Sequence, residues 1–74
     1  MMSELIILNS NGDDRTVWSK DDAEAYREAK EQFDKLKAKG WFAYKVTGKW
    51  GKEEIKEFDP NADKIVMSPP VVGG

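Results

Sequence analysis

An amphipathic helix is predicted for residues 19–40, which read SKDDAEAYREAKEQFDKLKAKG. Ser19 offers a hydroxyl that can cap the first turn, and Asp22, three residues later, is placed as the acid of a capping box. Gly40 is the residue type that most often ends a helix in the left-handed conformation. The apolar residues between these ends recur at spacings of three and four, on one side of the helix: Tyr26, Ala29, Phe33 and Leu36. The helix therefore needs a second layer to cover this side.

A β-hairpin is predicted before this helix. Residues 5–8, LIIL, form a short apolar run with the length of a strand. The pair Asn11-Gly12 follows, and these residue types are favoured at the centre of a type I′ turn because both tolerate a positive φ. In the returning strand, residues 15–18, alternation places Thr16 and Trp18 on one face. We expect Trp18 to close one end of the core.

Further strands are predicted after the helix. Residues 41–47, WFAYKVT, are rich in β-favouring types. Their alternation groups Phe42, Tyr44 and Val46, and because this set is the more apolar one, we expect it to lie beneath the helix. An outer strand and a final strand are predicted at residues 53–58 and 64–67.

Together these elements predict one small α+β domain, residues 1–68, in the order β-β-α-β-β-β. One helix would pack on a mostly antiparallel sheet, because a helix with one apolar side must bury it against another element. Pro69 and Pro70 have no amide hydrogen and end any strand ladder. Residues 69–74 are therefore expected to form an extended C-terminal tail.

The composition argues against an enzyme. The 74 residues include no cysteine and no histidine, which excludes disulfides and thiolate metal sites and removes the commonest general base. The acidic residues between Glu53 and Asp63 lack the glycine and the closing glutamate of a calcium loop. We therefore expect no catalytic residues, no metal and no cofactor.

Charge and hydropathy narrow the class of partner. Twelve basic residues nearly cancel fourteen acidic ones and leave a formal charge of −2, whereas a nucleic-acid-binding face needs a basic excess. No apolar run approaches the length of a membrane span, so we expect no membrane association and a cytoplasmic location. A protein partner is the remaining class, with the chain itself a monomer or a weak homodimer.

Trp50 is the first candidate for contact with a protein partner. It lies between Gly48 and Gly51 in a predicted loop, where a position in the core is hard to arrange. Because Lys49 and Lys52 flank it, its ring could also stack on a base. A weak nucleic-acid-binding accessory protein therefore stays an alternative.

The tail is the second candidate. Val71 and Val72, held extended by the prolines before them, can add to the sheet edge of a partner or lie in its groove. Gly73 and Gly74 form an end that can thread a narrow enzyme tunnel, where any side chain would clash. With the hairpin, helix and strands, this end resembles β-grasp proteins of the ubiquitin type. The resemblance implies, as another alternative, a modifier or carrier that uses the C-terminal Gly-Gly.

A second resemblance covers more of the chain. Residues 40–44, 57–62 and 69–74, which read GWFAY, EFDPNA and PPVVGG, resemble a group of small phage and prophage proteins that have no agreed activity. The resemblance implies a phage-type accessory protein in the cytoplasm of a bacterial host and identifies no functional residue. The sequence therefore predicts a non-enzymatic protein-binding module with these contact residues: Trp50, Val71, Val72, Gly73 and Gly74.

Overall fold

Five strands and one helix make up the part of the chain described by the computed structural model, residues 2–9, 12–48 and 51–70. In chain order they are β1 (Ser3–Asn9), β2 (Gly12–Trp18), α1 (Ala23–Ala38), β3 (Phe42–Thr47), β4 (Gly51–Glu54) and β5 (Lys64–Ser68). The α+β class and the order β-β-α-β-β-β predicted from the sequence are confirmed.

Strand β5 occupies the centre of the sheet, whose strand order is β2-β1-β5-β3-β4. It pairs in parallel with β1 and antiparallel with β3, and the two outer pairs, β1–β2 and β3–β4, are antiparallel. This is the mostly antiparallel, β-grasp-like sheet that the sequence predicts. Because β5 has a neighbour on each side, its inward side chains Ile65 and Met67 are fully buried.

Helix α1 lies on one face of this sheet through the apolar side predicted for it. Ala29 and Phe33 are fully buried, and Tyr26 and Leu36 pack against the same core. The opposite side of the helix is polar and exposed, with the pair Lys30–Asp34 at 2.8 Å as an example. The helix therefore has one buried side and one exposed side.

The first turn of the helix differs from the prediction. The Asp22 carboxylate accepts a hydrogen bond from the Ala25 amide at 3.1 Å, so Asp22 is the N-cap and the predicted cap Ser19 is not. The carbonyl of Ser19 instead accepts a hydrogen bond from the Asp22 amide at 3.2 Å, in the turn before the helix. The negative charge of Asp22 also suits the positive end of the helix dipole.

The predicted end of the helix at Gly40 is confirmed. Its amide donates to the Lys37 carbonyl and the Trp41 amide donates to the Leu36 carbonyl, both at 3.0 Å. This pair of bonds is a Schellman motif, which needs the left-handed conformation at the residue after the cap. Gly40 has a φ of 91°, which a residue with a side chain rarely adopts.

The predicted hairpin is also confirmed, but its centre is shifted by one residue. Asn9 pairs with Gly12, so the connection is residues 10–11 and not Asn11-Gly12. Residues 10–11 lie outside the described part of the chain. The observed register pairs Ser3 with Trp18 and keeps Trp18 on the buried side, whereas a shift of one residue would turn it outward.

The face predicted for β3 is wrong. Ala43 is the fully buried residue of this strand, whereas Phe42 and Val46 are 39% and 38% exposed on the other face. The space beneath the helix, next to Ala43, is filled by aromatic rings from other elements.

Phe58 supplies the ring that fills this space. Its centroid lies 5.1 Å from that of Trp18 and 5.6 Å from those of Tyr26 and Phe33. The sequence predicts an outer strand over residues 53–58, but β4 ends at Glu54, and the chain beyond it carries Phe58 to the helix. β4 is nevertheless the outer strand of the sheet, as predicted.

Candidate functional site

The contact residues predicted from the sequence lie outside the described part of the chain. They are Trp50, Val71, Val72, Gly73 and Gly74. Their neighbours are described: Gly51 pairs with Thr47 at the start of β4, and Pro70 is half-buried beside Gly40. The roles predicted for Trp50 and for the tail stay predictions.

A different surface stands out among the described residues. Helix α1 covers one face of the sheet, and no helix or strand of residues 2–9, 12–48 and 51–70 covers the other, which we call the open face. Strand alternation places seven apolar residues on it: Ile6, Leu8, Val17, Phe42, Tyr44, Val46 and Val66. Val17, Phe42 and Val46 are each more than a third exposed, and the others are half-buried.

These residues are adjacent because the strand register aligns them. Ile6 is opposite Val66 on β5, and Val66 is opposite Tyr44 on β3, so the three form one row across the middle of the sheet. A shallow depression of about 420 Å³ lies over this part of the sheet, and Leu8, Tyr44, Val46 and Val66 line it. The open face is therefore a continuous apolar surface and not a set of scattered side chains.

Charged side chains surround this apolar surface on the outer strands and at one end. Glu4 lies between two cations, with Arg15 Nη1 at 3.6 Å from one carboxylate oxygen and Lys64 Nζ at 3.9 Å from the other. At the opposite edge of the same face, the Lys52 ammonium lies 5.2 Å from the centre of the Tyr44 ring, a cation–π contact. The rim thus carries both signs of charge around an apolar centre.

Sequence reasoning missed the open face because it assigned Phe42, Tyr44 and Val46 to the core. One signal was present: residues 41–44, WFAY, are apolar or aromatic without interruption, so apolar residues fall on both faces of this segment. A strand with only one covered face normally alternates apolar and polar residues. A break in that alternation is typical of a strand whose second face is also covered.

A second concavity lies on the helix side of the sheet. It measures about 580 Å³ and is formed by the second half of α1, the β1–β2 hairpin and Trp41. Ile7 and Leu36 line it together with Lys35 and Lys39. A hydrogen bond of 2.9 Å from the Thr16 hydroxyl to the Gln32 side chain joins its two walls. In the structure it is a gap between helix and hairpin that this hydrogen bond spans.

The perturbed acids and bases belong to structural contacts. Asp59 accepts a hydrogen bond from the Asn61 amide at 2.9 Å, and Lys45 Nζ lies 3.1 Å from its other oxygen. The Asn61 amide first and Lys45 second hold the pKa of Asp59 below its ordinary value. The same contact with Asp59, assisted by Glu53 at 3.7 Å, raises the pKa of Lys45. This cluster fastens the loop after β4 to β3.

In the ranges 2–9, 12–48 and 51–70, no three or more histidine, cysteine, aspartate or glutamate side chains are grouped so that they could hold a metal ion. No helix in that part of the chain is both long and apolar enough to cross a membrane.

Comparisons with protein-family models, with curated proteins and with solved structures find no match to this chain.

Proposed function

We propose that this protein is a non-enzymatic protein-binding module and that the open face is its contact surface. The observation that carries the proposal is the exposure of Phe42 and Val46 within a continuous apolar sheet face. Contiguous apolar surface with a polar rim is typical of protein interaction sites, and aromatic residues are enriched there. Scattered exposed apolar residues would need no such explanation.

The rim favours a protein over a nucleic acid as the partner. The three basic residues on this face are balanced by three acidic ones: Arg15, Lys52 and Lys64 against Glu4, Asp13 and Glu54. Phosphate backbones are bound by an excess of positive charge, which this rim lacks. Mixed charges around an apolar centre instead match the arrangement of protein–protein interfaces, where rim charges steer the encounter and fix the register.

Site-specific photo-crosslinking in cells that produce the protein tests the proposal. A benzoylphenylalanine is placed at position 46 on the open face or, as the matched control, at position 28 on the exposed side of α1. We expect protein adducts from position 46 only, and we expect Phe42→Ser in the same chain to remove them. Equal adducts from both positions, or none from position 46, would overturn the proposal.

The predicted contacts at Trp50 and in the tail belong to the same proposal and have their own test. Trp50→Ala and a chain that stops at Pro70 leave every described residue in place. If Trp50 or residues 71–74 contribute to the contact, either change lowers the adduct yield from position 46 without lowering the melting temperature. An unchanged yield in both variants assigns the contact to the open face alone.

A further inference from the structure

We propose that the partner of the open face is a second copy of this chain, stacked face to face about a two-fold axis that lies between the two sheets, parallel to the strands and above β5. The inference rests on the proposed function, that the open face is a protein contact surface.

The central row of the open face is self-complementary. The paired residues run Arg15, Ile6, Val66, Tyr44 and Glu54 across the strands β2, β1, β5, β3 and β4. A two-fold axis along β5 places β1 over β3 of the other copy and β2 over β4. Ile6 then faces Tyr44 and Val66 faces its own counterpart. At both ends of the row, the positive Arg15 faces the negative Glu54.

The next row continues the apolar contact. Leu8 follows Ile6 by two residues on β1, and Phe42 pairs with Ser68 on the other side of β5. The same axis places Leu8 over Phe42 of the other copy and Ser68 over its own counterpart. In the third row Lys64 meets its counterpart, Glu4 faces Val46 and Val17 faces Lys52, so this row adds no apolar contact. Lys64 is 46% exposed and has a carboxylate partner of its own in Glu4. The axis therefore brings apolar residues together over two of three rows.

The other face-to-face arrangement opposes like charges. An axis in the sheet plane but perpendicular to the strands would stack each strand on itself and reverse its rows. Arg15 would then face Arg15 and Glu54 would face Glu54 at the two ends of the central row. Like charges that face each other across an interface are unfavourable. The order of residues therefore selects the axis parallel to the strands.

The area of the open face determines how tightly two copies are expected to bind. Five strands about 4.8 Å apart, with about three outward residues along each, give a flat footprint of roughly 500 Å². Stable interfaces cover about 800 Å² on each partner. We therefore expect a dimer that dissociates at roughly micromolar concentrations and exchanges its subunits readily.

A charge exchange between two variants is the decisive experiment. Arg15→Glu and Glu54→Arg each create two like-charge contacts in their own dimer, whereas a mixed dimer of the two variants regains both attractive contacts. Sedimentation from about 1 μM to about 1 mM spans the range in which such an interface dissociates. We expect each variant alone to dimerise roughly tenfold more weakly than the natural chain, and an equimolar mixture to regain the natural affinity.

Matched controls lie on the exposed side of the helix. Arg27→Glu and Glu28→Arg make the same changes of charge away from the open face, and we expect neither to alter dimerisation. If the natural chain stays monomeric at every concentration, the proposed dimer is wrong. It is also wrong if Arg15→Glu and Glu54→Arg leave the dimerisation affinity unchanged. If the equimolar mixture of the two variants does not regain the natural affinity, the proposed axis is wrong. Circular dichroism melting establishes that each variant is folded.

A crosslink at the axis is an independent test. The chain has no cysteine, so Val66→Cys introduces a single thiol at the position proposed to face its own counterpart. Stacked sheets lie about 10 Å apart, which is too far for a disulfide but within reach of a short bismaleimide. We expect Val66→Cys to give a product of twice 8.4 kDa and Glu28→Cys to give none. If the photo-crosslinks at position 46 persist with other masses while this product is absent, the dimer fails and the proposed function stands.

Discussion

The ring of Phe58 lies 5.1 Å from that of Trp18, with the two planes tilted by 51°. Trp18 is the last residue of β2, and Phe58 lies in the loop after β4. Because β2 and β4 are the two outer strands of the sheet, this contact links its two edges beneath the helix. Phe33 of the helix completes the cluster at 5.6 Å from Phe58. The loop after β4 is therefore part of the core.

Phe33→Ala is expected to lower the free energy of unfolding by about 3–5 kcal/mol, because a fully buried ring is lost and a cavity remains. In so small a domain this approaches the whole stability. Phe58→Ala is expected to cost somewhat less, because its ring is only partly buried. Phe42→Ala removes a phenyl ring from the open face, where the side chain is 39% exposed, so we expect a much smaller decrease in the free energy of unfolding. Urea unfolding of the three variants measures the difference. A loss for Phe42→Ala as large as that for Phe58→Ala would show that the open face is covered as fully as the face beneath the helix.

The N-terminal cap gives a second prediction. Asp22→Ala removes the acceptor of the Ala25 amide and a favourable charge at the helix dipole, so we expect the free energy of unfolding to fall by about 1 kcal/mol. Ser19→Ala changes a residue that contributes only its backbone carbonyl to the turn, and we expect almost no effect. Thermal unfolding compares the two. If Ser19→Ala lowers the free energy of unfolding more than Asp22→Ala does, Ser19 is the N-cap, as predicted from the sequence.

Much of this fold was predictable because local signals and packing agree along the helix. The side with Ala29 and Phe33 is buried as predicted, and Gly40 ends the helix, since spacing and backbone geometry alone determine both features. The face of β3 was not predictable in the same way. Which side of β3 is covered depends on Phe58, a residue from a loop that local pattern places in an outer strand. The open face was missed for the same reason.

Acid sensitivity gives a third prediction. The pKa of Asp59 is held below its ordinary value of 3.8, first by the Asn61 amide and then by Lys45. A lowered pKa in the folded state stabilises the fold above the ordinary value, and this stabilisation is lost as the pH falls through the lowered folded value. We expect Asp59→Asn to flatten the acid side of the stability profile below about pH 4.

Lys45→Met separates the two causes. It removes the cation but leaves the Asn61 amide, which is the largest single cause, so part of the acid dependence is expected to persist. Urea unfolding across a pH series measures both variants. If Lys45→Met flattens the profile as much as Asp59→Asn does, the ion pair is the main cause and the amide is not.

The start of β4 gives the last prediction, and it concerns the connection that carries Trp50. A methyl group at Gly51 would lie 2.5 Å from the Thr47 hydroxyl oxygen and 2.6 Å from the Thr47 carbonyl oxygen, which is too close for either contact. Because Gly51 pairs with Thr47, Gly51→Ala should separate this last pair of the β3–β4 ladder and leave the three other pairs closed. Amide hydrogen exchange should therefore increase around Thr47 and remain slow in β1 and β5. Lys52→Ala, one residue later and with an exposed side chain, is the matched control and should leave exchange at Thr47 unchanged. Unaltered exchange in Gly51→Ala would show that the β3–β4 connection can shift to admit a side chain, and that the close approach at Gly51 does not fix its geometry.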